Sequence, residues 1–274
     1  TCRVGVERGL AQLPPAGVAE AATLASIMAP PHVRLACQIR PRQAITVTRL
    51  VPPPSRAGAG RRLPGSDAQG VERCLVVLFL DTRGFTEISE KRLPYDVVFI
   101  LNRLFAEAGD AIRRNGGAID KYLGDGLMAI FGARDGEDEG CRQALRAACD
   151  IDLALDRLNR EIKGELGMPL RIGMGIDVGP LVVGHIGHGD TASVTVIGNT
   201  VNAASRLEAL TKEKKCQLIA AVEVLERAGV SLHSFPCEDV AIRGLSTPRP
   251  VAVIKRARKL HTLTGPKTTR VAEA

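Results

Sequence analysis

Seven apolar residues stand in a row at Cys74-Leu75-Val76-Val77-Leu78-Phe79-Leu80, and the run ends on Asp81. A continuous apolar run of this length predicts a strand buried on both faces. Such a strand needs cover above and below, so the flanking chain must supply helices able to lie on a sheet. Between Asp96 and Arg114, residues Val97, Leu101, Leu104, Phe105, Ala108 and Ile112 fall on one helical face, and Gly116-Gly117 stops the helix. Ala144, Ala147, Ala148, Ile151, Leu155 and Leu158 mark a second long helix. Asn199–Leu210 reads as a third, with Asn199 as its N-cap, and a short one is expected near 222–228. Strands are expected at Ala118–Tyr122 and Leu127–Phe131, around a Gly124-Asp125-Gly126 turn. Further strands are expected at Leu170–Val178, Leu181–Ile186 and Ser193–Ile197, with a short strand and two final ones beyond. The order predicts an α+β fold: a largely antiparallel sheet with helices packed on it.

Composition limits what such a fold does. Trp is absent and Tyr occurs twice, so aromatic platforms for stacking nucleic-acid bases are not expected. The net charge is +7 and the pI about 9.2. Much of the excess sits at Arg56, Arg61 and Arg62 and in Lys255-Arg256-Ala257-Arg258-Lys259, which read as solvated linker and tail. Seven cysteines without a dense, even framework, and no signal peptide, point to reduced thiols in the cytoplasm. The apolar run at Cys74 is the longest and is far too short to span a bilayer. The chain opens on Thr1 rather than Met, which is expected of a fragment and leaves room for a membrane anchor upstream, at the inner face of a membrane. Pro, Gly, Ser and Arg dominate 53–71, predicting a linker between residues 1–52 and a patterned region at 72–257, with a basic tail at 258–274.

Candidate chemistry lies in the patterned region. Asp81 closes the apolar strand on a rigid mount, where a carboxylate either ligates Mg²⁺ or serves as turn chemistry. Thr82, Gly84 and Phe85 follow in a turn whose backbone N–H groups can approach a polyphosphate. Asp125 sits between two glycines, either as a plain turn residue or as a second metal ligand. Two carboxylates on adjacent strands can clamp two divalent ions about 3.5–4 Å apart, as in phosphoryl-transfer sites. Lys121 stands four residues before Asp125, with the turn between them re-aiming the aspartate. It reads either as a partly buried cation that needs an acceptor or as an edge lysine that deters aggregation. Asn202 and Arg206 are spaced i, i+4, so they share one helix face, either as an exposed polar stripe or as groups for a ribose and a phosphoryl oxygen.

Four segments taken together resemble the class III adenylate/guanylate cyclase family. They are Leu80-Asp81-Thr82-Arg83-Gly84-Phe85-Thr86, Lys121-Tyr122-Leu123-Gly124-Asp125-Gly126, Arg171-Ile172-Gly173-Met174-Gly175-Ile176, and Thr195-Val196-Ile197-Gly198-Asn199-Thr200-Val201-Asn202-Ala203-Ala204-Ser205-Arg206-Leu207-Glu208. The resemblance implies a ferredoxin-like palm and two ions per site, Mg²⁺ or Mn²⁺, held by Asp81 and Asp125. It implies that Lys121 and Thr195 read an adenine ring, so that ATP is converted to cyclic AMP; guanylate cyclases usually carry Glu and Cys at those places. It assigns Asn202 to the ribose and Arg206 to the transition state, and it places Arg243 where the family commonly has a phosphate-contacting Lys. Asn199 replaces a frequent Asp, with little effect expected. The family also implies a homodimer whose two sites are shared, Asp81 and Asp125 serving one site and Lys121, Thr195, Asn202 and Arg206 the other. Relatives with Thr at the position of Thr195 include bicarbonate-regulated ones. A guanylate cyclase, or a redox-regulated module that only binds nucleotide, are the alternatives.

The amino-terminal piece resembles the second half of a [2Fe–2S] ferredoxin, a partial β-grasp segment, through Thr1-Cys2-Arg3-Val4 and Leu35-Ala36-Cys37-Gln38-Ile39-Arg40-Pro41. The resemblance makes Cys2 the third and Cys37 the fourth cluster ligand, with the first two expected before Thr1. Two thiolates do not hold such a cluster, so this chain is not expected to carry it intact.

Overall fold

The computed structural model describes residues 3–50, 70–90, 92–163, 168–186, 193–242 and 247–260. The chain divides into two compact units, Thr1–Gly70 and Val71–Ala274.

In the first unit, strands β1 (Arg3–Arg8), β2 (Val33–Leu35) and β3 (Thr46–Arg49) form an antiparallel sheet of order β2-β1-β3, with one helix, α1 (Val18–Ser26). Its small core gathers Val4, Val6, Leu13 and Ile39. Glu20 of α1 is buried. It accepts hydrogen bonds at 2.8 and 2.9 Å from the Arg34 guanidinium and one at 2.8 Å from the Leu35 N–H, pinning the helix to β2. Those bonds hold the Glu20 carboxyl below its usual range. Cys37 is exposed in the turn after β2, and Cys2 lies outside the described residues.

The second unit is built on an eight-stranded sheet. Its elements are β4 (Val71–Arg83), α2 (Phe85–Glu90), α3 (Pro94–Arg114), β5 (Ala118–Leu123), β6 (Gly126–Phe131), α4 (Glu137–Glu161), β7 (Arg171–Ile186), β8 (Ser193–Ile197), α5 (Asn199–Glu213), β9 (Leu218–Ala221), α6 (Val222–Ala228), β10 (Cys237–Val240) and β11 (Arg249–Ile254). The strand order is β10-β11-β9-β7-β4-β6-β5, with β8 also paired to β7. All pairings are antiparallel except β7 with β9. This is the α+β architecture expected from the sequence.

The apolar run does form the buried strand, but β4 continues through Asp81 to Arg83, so the aspartate is held within sheet pairing rather than beyond it. The two strands expected at Leu170–Val178 and Leu181–Ile186 are one strand, β7, which crosses Pro180 without a break. Alternate residues of the central strands, among them Val76, Leu78, Leu80, Ile172, Met174 and Ile176, enter the core with α3 and α4. The opposite face carries glycines where α5 crosses. A Cβ on Gly175 would stand 2.2 Å from both the Ala204 carbonyl oxygen and the Glu208 backbone nitrogen, so the helix touches the sheet backbone directly.

Two local expectations change. Asn199 is the first residue of α5 rather than its cap; Gly198 takes the cap position and no side chain bonds there. The basic run Lys255–Lys259 is not simply solvated tail. Ala257–Leu260 form a helical turn with Ala257 and Leu260 buried. Arg256 and Arg258 both reach Asp152 of α4, a carboxylate with no solvent exposure, and Asp156 one turn on. The boundary drawn at 257 from the sequence falls inside this turn.

Candidate active site

Asp81 and Asp125 come together at the end of β4. Leu80 pairs with Leu127, which places the 124–125 turn beside Asp81. The Thr82 hydroxyl donates a 2.8 Å hydrogen bond to the Asp125 carbonyl and fastens the turn to the strand. A Cβ on Gly126 would meet the Leu80 carbonyl oxygen at 2.6 Å and Asp81 Oδ1 at 2.9 Å, so only glycine lets β6 begin this close to the carboxylate. Burial pushes the Asp81 carboxyl up to about 6, and the negative charges of Asp125 and Glu208 add to it, against the pull of Arg83 and the Thr82 N–H. Oxygen-only donors that repel one another suit a hard divalent cation, which relieves the repulsion. Among the described residues no group of three or more His, Cys, Asp or Glu side chains converges. A cation here would therefore complete its shell from backbone, water and substrate oxygens, as Mg²⁺ does at phosphate sites.

The two aspartates line a cleft of about 1430 Å³ together with Thr82, Gly84 and Phe85. Gly84 has a positive φ of 71° and turns the chain from β4 into α2. The lining also includes the basic residues Arg171, Lys212, Lys215 and Lys255. Arg171 received no role from the sequence, although its register opposite Arg83 brings it to this cleft. Arg83 donates to the Glu208 side chain at 2.8 Å and to the Glu208 carbonyl at 3.0 Å, tying β4 to α5.

Lys121 and Thr195 lie outside this cleft but beside one another. The Lys121 ammonium donates to Thr195 Oγ1, a contact between residues 74 apart in the chain. A third residue, overlooked in the sequence, completes the group. The Asp120 side chain is 3% exposed, and its Oδ2 lies 3.1 Å from Lys121 Nζ and accepts a 2.9 Å hydrogen bond from the Thr195 hydroxyl. Neighbouring strand residues ordinarily face opposite ways. Here Ile119 pairs with Ala129 and Lys121 with Met128, which leaves Asp120 as the extra residue of a bulge. The bulge lets Asp120 and Lys121 face the same group.

Asn202 and Arg206 are exposed one turn apart on α5, opposite the buried Ala204 and Glu208. They do not line the cleft of Asp81 and Asp125. Arg243 lies outside the described residues.

A half-buried pair of carboxylates in a cleft that basic side chains also line, on a largely antiparallel sheet crossed closely by one helix, is an arrangement suited to a polyphosphate. The family profile described as the adenylate and guanylate cyclase catalytic domain matches residues 68–254. The chain belongs to this family. It is 40% identical over 157 residues to an adenylate cyclase of Anabaena cylindrica, covering 56% of this chain and 30% of that one. Among solved structures it resembles the guanylyl cyclase Cya2, with a TM-score of 0.61, 32% identity, and coverage of 68% of this chain and 93% of that one. It also resembles the adenylyl cyclase CyaB from P. aeruginosa, with a TM-score of 0.59, 28% identity, and coverage of 68% and 95%. The chain spans about a third or less of the length of curated relatives that it matches.

Proposed function

We propose that the second unit converts ATP to 3′,5′-cyclic AMP and pyrophosphate in a homodimer with two shared sites. The observation that carries the reading is the meeting of Lys121 and Thr195, two polar side chains able to read the edge of a purine. In this reading Asn202 orients the ribose, and Arg206 lays its guanidinium against the α-phosphate as charge develops there. The 3′-hydroxyl loses its proton to water and attacks the α-phosphorus, and the bond to the leaving pyrophosphate breaks. Arg171, which lines the cleft, holds the departing phosphates, and by resemblance Arg243 shares that role. Two Mg²⁺ or Mn²⁺ ions at Asp81 and Asp125 would neutralise the triphosphate and acidify the attacking hydroxyl.

Support for the dimer comes from the separation of the two residue sets, since the cleft of Asp81 and Asp125 contains none of Lys121, Thr195, Asn202 or Arg206. An exposed apolar face adds to it: Tyr95, Val98 and Phe99 on α3, with Tyr95 88% exposed, and Tyr122 and Leu123 on β5. Phe105 of α3 packs on Tyr122 with ring centroids 4.8 Å apart, which makes these two elements neighbours. The similarity to the guanylyl cyclase Cya2 makes GTP the competing substrate. Cyclic nucleotide formed from ATP and from GTP by the purified dimer decides between them. Cyclic AMP is expected; predominant cyclic GMP would reverse the specificity, and no product from either would end the cyclase reading.

The ferredoxin-like reading of the first unit remains a proposal. Cys37 and Cys2 fall short of the four thiolates a [2Fe–2S] cluster takes. In the second unit, burial pushes the Cys74 and Cys216 thiols up to about 11 and that of Cys141 to about 12, which keeps them protonated and poorly suited to redox sensing.

A further inference from the structure

We propose that Asp120 sets the base selectivity of the site by fixing which way the hydrogen bonds of Lys121 and Thr195 run. The inference rests on the cyclase reading and deepens it. A carboxylate has no proton to give, so in the 2.9 Å contact the Thr195 hydroxyl must be the donor. Its single proton is thereby committed to Asp120. Its oxygen accepts one hydrogen bond from the Lys121 ammonium and keeps one lone pair free. The ammonium has three N–H groups; one faces Asp120 Oδ2 at 3.1 Å, one faces Thr195, and one is left.

The trio therefore offers a purine one donor, from Lys121, beside one acceptor, on Thr195. The six-membered edge of adenine offers the complement, an acceptor at N1 and a donor in the 6-amino group. The edge of a 6-oxopurine is reversed, with a donor at N1 and an acceptor at O6. Without a carboxylate at position 120, the Thr195 hydroxyl is free to turn and donate to O6. Asp120 itself is buried behind the pair and is a positioning residue, not a catalytic one. Its place depends on the bulge in β5, which turns it to the same side as Lys121.

The test compares the intact chain with Asp120→Asn, which keeps the size of the side chain but supplies an amide donor. Two readouts are taken with Mg²⁺: displacement of a fluorescent ATP analogue by ATP, inosine triphosphate and purine-riboside triphosphate, and cyclic product from each. The parent protein should bind ATP about 10–100-fold more tightly than the 6-oxo and 6-unsubstituted analogues, one hydrogen bond or two being at stake. In Asp120→Asn the ATP-to-inosine ratio should fall at least tenfold, carried by KM rather than kcat. A purely structural role would weaken all three nucleotides alike and leave the ratio unchanged, and that result overturns the proposal. If Asp120→Asn does not fold, the parent alone still decides: equal binding of ATP and inosine triphosphate overturns it. Loss of cyclic product with selective binding intact removes the cyclase reading and not this one.

Discussion

Gly175→Ala is the sharpest probe of how the fold builds the site. The added methyl would stand 2.2 Å from the Ala204 carbonyl oxygen and from the Glu208 nitrogen, and 2.9 Å from the Glu208 Cα. All three are backbone atoms of α5, so no side chain can swing aside. To restore ordinary contact, α5 must retreat from β7 by roughly 1 Å, a typical overpacking response that costs about 1–3 kcal/mol. With two backbone atoms in collision, the upper end applies, and a loss of about 3 kcal/mol in a unit of this size lowers Tm by roughly 10 °C. The same retreat carries Asn202 and Arg206 with it, and misplacing positioning groups by about 1 Å lowers rates on the order of 100-fold. Calorimetry of the second unit's transition and kcat for cyclic AMP measure the two effects. A variant within about 0.5 kcal/mol of the parent, with unchanged kcat, would refute the claim that glycine contact sets the height of α5.

The remaining predictions concern charge and assembly. Asp152→Ala should destabilise the second unit by about 2 kcal/mol, the usual loss on breaking a buried pair reduced because Arg256 and Arg258 are partly solvated; an unchanged denaturation midpoint would contradict it. Burial works against ionisation of Asp152, but hydrogen bonds from Arg258, Arg256, Gln217 and the Arg258 N–H outweigh it and hold the carboxyl far below its ordinary range. Its stabilisation is thus complete above the unfolded value of about 4 and drains away as pH falls below it; Asp152→Asn should flatten the acid limb of a stability–pH curve. Arg83→Met leaves Glu208 without its cation beside Asp81, so Asp81 should titrate higher and Mg²⁺ should bind more weakly near pH 6, as calorimetric titration reads directly. Asp81→Ala and Arg206→Ala should each be inactive as homodimers yet recover part of the parent rate when mixed, because one of the two shared sites is then intact; absence of recovery argues against shared sites.

The apolar run at Cys74, the helical periodicities and the glycine-flanked Asp125 were sufficient to read the sheet, its helices and the two carboxylates. Those signals are local: periodicity depends on which residues within one element must avoid water, and turn residues depend on backbone conformation. Element ends were less legible. Sheet pairing with β7 carries β4 past Asp81 to Arg83, although polarity alone would end the strand there. Arg256 and Arg258 read as tail because a basic run in isolation is solvated; their partner, Asp152, is more than a hundred residues away in the chain.

What the sequence determined by itself is a strand-and-helix order and a set of candidate side chains for polyphosphate chemistry. What only the tertiary structure decided is which of them meet. Asp120 and Lys121 are sequence neighbours, and strand alternation sets them on opposite faces; a bulge invisible to periodicity turns both toward Thr195. Hydrogen-bond polarity among three side chains is a property of their meeting, and it arises only when β5 and β8 are folded together.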